Sequence, residues 1–193
     1  MEKNNPASPR VARRRERLRH HILESSSALI CRIGLDRLSF DQLAQVSDVA
    51  RGTLYSFFKN KEALLEELYK DVSQQFRQGL ENLRKLDDTG RLEGLLNLYC
   101  DLFDSQPDML IAWHQIGQNR SARMARYWQQ FTDGLSELFQ SLEGHLRSNN
   151  PGLSRELFER TSIPSLQAFA AVNNYRSLYV EHFTGLLLKP QSA

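Results

Sequence analysis

Leucine dominates this chain and sets what it can fold into. There are 30 Leu against 12 Val and Ile together in 193 residues, and no stretch alternates apolar with polar side chains over the length of a strand. Leucine keeps most of its rotamer freedom in a helix, whereas β-branched side chains are stiff there and favour strands. The apolar positions recur at three- and four-residue spacings, as in Leu64, Leu65, Leu68, Val72, Phe76, Leu80 and Leu83. That is the stripe one helix face turns toward a core. The expected class is all-α, with about nine helices.

The first helix is expected over about 12–32, with Leu18, Ile22, Leu29 and Ile33 on one face and Gly34 as its stop. Ser39-Phe40-Asp41-Gln42 reads as a capping box opening a short helix, which Ser47-Asp48 interrupts. A second short helix follows over about 50–57, and Asn60 is placed to cap the long Leu64–Leu83 stripe. Two short helices around a tight turn, with Phe40, Leu43, Ala44, Val49, Leu54 and Phe58 inside, make a helix-turn-helix. Its turn needs a residue tolerating positive φ, a role Asp48 fills less well than Gly.

Beyond a loop at Asp87–Gly90, a helix carries Leu92, Leu95, Leu96, Tyr99, Leu102 and Phe103. The next starts at Pro107 and breaks at Gly117-Gln118-Asn119. A long helix then shows Met124, Tyr127, Trp128, Phe131, Leu135, Leu138, Phe139, Leu142 and Leu146. Ser154 is read as capping a short helix to about Arg160, and Pro164 as starting the last one.

Net charge is only +2, but it is unevenly divided. Residues 1–61 hold 12 Lys/Arg and 6 Asp/Glu, whereas residues 62–193 hold 13 and 17. A basic end on an acidic remainder points to a polyanionic partner at that end. The longest uncharged stretch, Thr161 to Tyr175, contains Pro164 and several polar side chains, unlike a membrane span of about 20 apolar residues. No apolar run follows the basic N-terminus as in a secretory signal. A cytoplasmic location with no membrane partner is expected.

The segment Gly34 to Leu65 resembles the DNA-binding domain of the tetracycline-repressor (TetR) family of bacterial transcriptional regulators. The likeness rests on Leu43-Ala44, Val49, Arg51-Gly52-Thr53-Leu54-Tyr55-Ser56-Phe57-Phe58 and Lys61-Glu62-Ala63-Leu64. It covers roughly the first 65 residues. Two features depart from the family pattern: Ser47-Asp48 stands where Ala-Gly is usual in the turn, and Ala50 where Ser or Thr caps the recognition helix.

The resemblance implies a DNA-binding domain with a basic arm at residues 1–60 and a helical effector-binding and dimerisation domain at 61–193. The helix from Ala50 would enter the major groove, with Arg51 and Thr53 at base edges and Gly52 permitting close approach. Tyr55 and Lys61 are assigned to phosphates, and Arg13, Arg14, Arg15 and Arg17 to phosphate or minor-groove contacts. Ser39 and Gln42 complete the expected DNA-contacting set. For Arg51 the plainer reading is a solvated side chain, and for Tyr55 partial core packing.

In the remainder, Tyr99, Phe103, Met109, Trp113, Tyr127, Trp128 and Phe131 fall on consecutive helices. Core packing is the default for such a stripe, and the resemblance adds an effector pocket for an apolar or aromatic small molecule. Asn173, with Asn174 and Arg176, would either orient that ligand or meet water. The resemblance also implies a homodimer through the last two helices, where Leu157, Phe158, Phe169, Tyr179 and Phe183 supply apolar faces.

No metal is expected, since His20, His21, His114, His145 and His182 lack ligand spacing with one another or with Cys31 and Cys100. No nucleotide motif and no catalytic triad can be assigned, so neither a cofactor nor enzymatic activity is expected. Cys31 and Cys100 read as core residues, with redox sensing left open. The function expected is a ligand-responsive regulator, most often a repressor in this family, that binds a palindromic operator as a dimer. A helical carrier or enzyme with a vestigial DNA-binding module is the alternative, and an effector-free architectural DNA-binding protein a third.

Overall fold

The computed structural model describes residues 9–118 and 125–190. Nine α-helices follow one another among the described residues: α1 (Pro9–Ile33), α2 (Phe40–Ser47), α3 (Arg51–Phe57), α4 (Lys61–Leu83), α5 (Asp88–Ser105), α6 (Pro107–Gln118), α7 (Ala125–Ser141), α8 (Pro151–Phe169) and α9 (Tyr175–Leu187). The all-α expectation holds. Asn119 and Met124, expected to flank the start of the α7 stripe, lie outside the described residues. No described helix is long and apolar enough to cross a membrane.

The chain separates into two compact units, Met1–Leu68 and Tyr69–Ala193, so the division falls inside α4 rather than at residue 60. Leu64 and Leu68 are fully buried and belong to the first unit with the helix-turn-helix.

In the first unit, Ile22, Leu23, Ile30, Leu38, Phe40, Leu43, Val49, Leu54 and Phe58 are buried. Local signals place the elements that present them. Gly34 has φ +85° and donates its N–H to the Ile30 carbonyl at 2.8 Å, ending α1 in a conformation that side chains disfavour. The Ser39 hydroxyl accepts from the Gln42 N–H at 3.3 Å and donates to the Gln42 side-chain oxygen at 2.9 Å. Asn60 caps α4 through the Ala63 N–H at 2.9 Å. Asp48 sits in the left-handed region, φ 52° and ψ 35°, and makes the turn between α2 and α3.

The second unit is built around aromatic rings. Trp113 stacks on Tyr69 with centroids 5.5 Å apart, meets Phe76 at 4.8 Å and takes Phe131 edge-on at 4.9 Å. Phe76 carries the cluster to Tyr99 at 4.7 Å, and Tyr99 to Phe158 at 5.3 Å. The Trp113 indole N–H donates to the Ser73 hydroxyl at 2.8 Å, so the ring is buried without an orphaned donor.

Element boundaries differ from expectation near the C-terminus. α8 runs through Pro164, where the sequence suggests a break, and it is capped by Asn150 rather than Ser154. Pro164 removes one backbone N–H, but Ile163 and Leu166 are buried on either side of it. That packing outweighs the roughly 3 kcal/mol a proline costs inside a helix. The α7 stripe ends at Ser141; a 3-10 turn at Glu143–His145 follows, and Leu146 pairs with Leu188 in an antiparallel bridge.

Candidate functional site

Helix α3 buries only Leu54 and exposes Arg51, Gly52, Tyr55 and Ser56, with Thr53 half-exposed. A Cβ at Gly52 would meet nothing within 4 Å, so this glycine leaves open surface rather than relieving a clash within the chain. Arg51 is oriented: its guanidinium donates to the Asp41 carboxylate at 2.6 Å and to the Tyr55 hydroxyl at 3.5 Å, and lies 5.7 Å from the Tyr55 ring centroid. Tyr55 in turn packs against Phe40 at 4.9 Å while 46 % of it stays exposed, so core packing and solvent presentation coexist. Sequence reasoning missed Asp41. It reads only as an acidic residue in a first helical turn, and nothing in the spacing announces a partner ten positions on.

The other expected DNA contacts divide into two groups. Arg13, Arg14 and Arg17 are exposed on α1, with Arg13 reaching the Pro9 carbonyl at 3.2 Å. Arg15, by contrast, donates to the Ser56 carbonyl at 3.3 Å and sits 4.7 Å over the Phe57 ring, bracing the end of α3. Lys61 donates to the carbonyls of Leu35 and Asp36 at 2.8 and 3.3 Å. The structure thus gives Lys61 the task of holding the loop after α1, where the sequence suggests a phosphate contact. These two bonds leave one of the three ammonium donors for a partner outside the chain. Ser39 and Gln42 are half-exposed and bonded to each other as a cap.

In the second unit, Tyr99, Met109, Trp113 and Phe131 are buried, Phe103, Tyr127 and Trp128 partly so. Asn173 lies in the exposed turn between α8 and α9, not on the last helix as expected. Arg176 begins α9 and donates to Asp101 at 2.8 Å and to Asp104 at 2.9 Å, tying α9 to α5. A cleft of about 310 Å³ is lined by Lys70, Ser73, Gln74, Arg77, Tyr127, Gln130 and Phe131, so two of the expected pocket residues border open space. Burial lowers His114 below the usual imidazole value. It pushes the buried Cys100 thiol up to about 11, which favours the protonated thiol at neutral pH.

Burial also corrects the expected dimer face. Phe158, Tyr179 and Phe183 are fully buried within their own unit, so they are not available to a second chain. Apolar side chains stand on both faces of α9: Tyr179, Phe183 and Leu187 point inward, while Leu178 and Leu186 line an outer groove with Phe169, Glu181 and His182. Four-residue spacing is identical on the two faces, so periodicity could not choose between them. Leu157 is 45 % exposed, in keeping with its expected outward position.

Comparison with known proteins matches residues 22–68 to the family model described as bacterial regulatory proteins, tetR family. An uncharacterized HTH-type transcriptional regulator of Haemophilus influenzae is 41 % identical over 64 residues, 33 % of this chain and 34 % of that protein. The match therefore spans about a third of that relative's length. Among solved structures, AibR in complex with isovaleryl coenzyme A and operator DNA superposes with a TM-score of 0.72 at 18 % identity, covering 90 % of this chain and all of that one (100 %). The TetR-family transcriptional regulator PfmR from Thermus thermophilus gives 0.66 at 16 % identity, covering 89 % and 99 %. At such identities the superpositions establish the fold, while the sequence match identifies the N-terminal domain. Residues 22–68 thus form a DNA-binding domain of the tetR family of bacterial regulatory proteins, and the described helices share the fold of solved TetR-family regulators.

Proposed function

We propose that this chain represses transcription as a homodimer on a palindromic operator and is released by a small-molecule effector. The observation that carries the proposal is the exposed face of α3, where Arg51, Gly52 and Tyr55 stand out from a helix that gives only Leu54 to the core. A helix presented this way fits the major groove, and one such helix reads so few bases that two half-sites are needed. Arg10, Arg13, Arg14 and Arg17 on the exposed flank of α1 supply sequence-independent attraction to phosphates. For the second chain, Leu153, Leu157 and Leu186 with the Phe169–Leu178–His182 groove offer apolar surface on α8 and α9.

Effector release is supported by the likeness to AibR, whose complex holds both isovaleryl coenzyme A and operator DNA. In this chain the cleft beside Tyr127 and Phe131 lies at the lower end of the volumes small-molecule sites occupy, roughly 300–1,000 Å³. The test is an electrophoretic shift on the DNA upstream of the chain's own gene, repeated with a panel of acyl thioesters and apolar aromatics. A salt-sensitive, sequence-selective complex dissolved by one compound is expected. Absence of any selective complex would leave the carrier reading standing, and a complex no compound dissolves would favour an effector-free DNA-binding protein.

A further inference from the structure

We infer that Asp41 is a specificity-setting positioning residue that holds Arg51 toward base edges and away from phosphates; this rests on the DNA-binding reading above. A carboxylate on a surface facing a polyanion is unfavourable for binding as such. Asp41 is on that surface nonetheless, with its side chain 65 % exposed and its oxygen 2.6 Å from the Arg51 guanidinium. An arginine on an exposed helix is long and freely rotating, and either a phosphate or a guanine edge satisfies its planar fork. Here one end of the fork is tethered by Asp41 and the other faces the Tyr55 hydroxyl.

The first turn of α2 supplies both parts of this device. Phe40 backs the Tyr55 ring at 4.9 Å, and the next residue, Asp41, anchors the guanidinium. With Arg51 held on α3, swinging outward to a phosphate means breaking the ion pair beside a repelling carboxylate. Reading a base edge from the held position does not. Asp41 therefore lowers affinity for DNA in general and raises the ratio of selected over random sequence. It touches no base itself in this scheme.

The experiment selects a preferred duplex for the wild-type chain from a randomised duplex library, then titrates that duplex and a scrambled one at several salt concentrations. D41N is expected to bind the scrambled duplex more tightly, with a salt slope steeper by about one per subunit. Its ratio of selected over scrambled affinity should fall about tenfold. D41E, which keeps the charge, should retain more of that ratio than D41N, and Y55F should lose less of it. A D41N chain whose affinity rises equally for both duplexes would overturn the inference while leaving DNA binding intact. A wild-type chain that enriches no sequence would overturn both. Thermal melts accompany the titrations, so lost selectivity with unchanged melting is read as positioning rather than folding.

Discussion

The two units use the same kinds of side chain to opposite ends. In the first, Tyr55 and Arg51 project from a seven-residue helix whose core contribution is a single leucine. In the second, Trp113, Tyr69, Phe76 and Tyr99 bury their rings against one another. Tyr55 is thus a presented group, although Phe40 and Phe58 of the same unit are buried, whereas the rings of the second unit's cluster are packing material. The comparisons divide the same way: the family model matches residues 22–68, whereas the AibR superposition, a likeness of fold, covers 90 % of the chain at 18 % identity. Surface chemistry constrains sequence residue by residue, and core packing constrains mainly volume and periodicity.

The sharpest way to break this contrast is Trp113→Ala. It removes a ring 2 % exposed and takes one donor from the Ser73 hydroxyl, which keeps its bond to the Tyr69 carbonyl, so denaturant melts should show a loss of about 3–5 kcal/mol from the cavity. A melt indistinguishable from wild type would mean that the aromatic cluster is not the core of its unit. Arg51→Ala comes next. It should cost about 1–3 kcal/mol on the selected duplex and relax preference at one base pair per half-site, with melting unchanged. Equal weakening on every sequence would move Arg51 to a phosphate.

Lys61→Ala sharpens the comparison from the other side. The two carbonyls it serves lose a charged donor, and about 1 kcal/mol of stability should go with them. A salt-dependence series on random DNA checks the alternative: a slope reduced by about one per subunit at unchanged stability would restore the phosphate role. The smallest effect expected is a gain. Asp48→Gly removes a side chain from a left-handed backbone position and should stabilise the first unit by about 0.5–1 kcal/mol. A loss on melting would show that the Asp48 side chain holds the turn.

Most of the fold was legible because helix signals are local. Gly34, the Ser39 and Asn60 caps and Pro107 each mark an end that the structure places within a residue or two. The Pro164 break was misjudged because buried residues on both sides hold α8 together, and tertiary packing leaves no mark at that position in the sequence. In the reading head, Arg51 and Tyr55 could be singled out by motif, but their tie to Asp41 joins separate helices. Lys61 carries a second such tie. Its motif position suggests a partner outside the chain, and the structure adds two loop carbonyls as acceptors that no spacing announces. In the second unit the apolar stripes were visible, yet which stripe faces inward depends on neighbours that no spacing encodes.

The missing cap on α3 has a consequence for motion. Ala50 offers no side-chain oxygen to the helix, and seven residues are too few to sustain a helix alone. What holds the segment is Leu54 in the core, Tyr55 against Phe40, Arg51 on Asp41, the Phe58 N–H on the Leu54 carbonyl at 2.9 Å and the brace from Arg15. Helices so lightly tied open and reclose without the rest of their domain unfolding. Amide protons of the surface that would read DNA are therefore expected to exchange sooner than those of α1 around the buried Ile22 and Ile30. Contact with a groove would slow exchange on α3 first, so the timescale of opening, rather than any change of shape, would be the earliest sign of an occupied site.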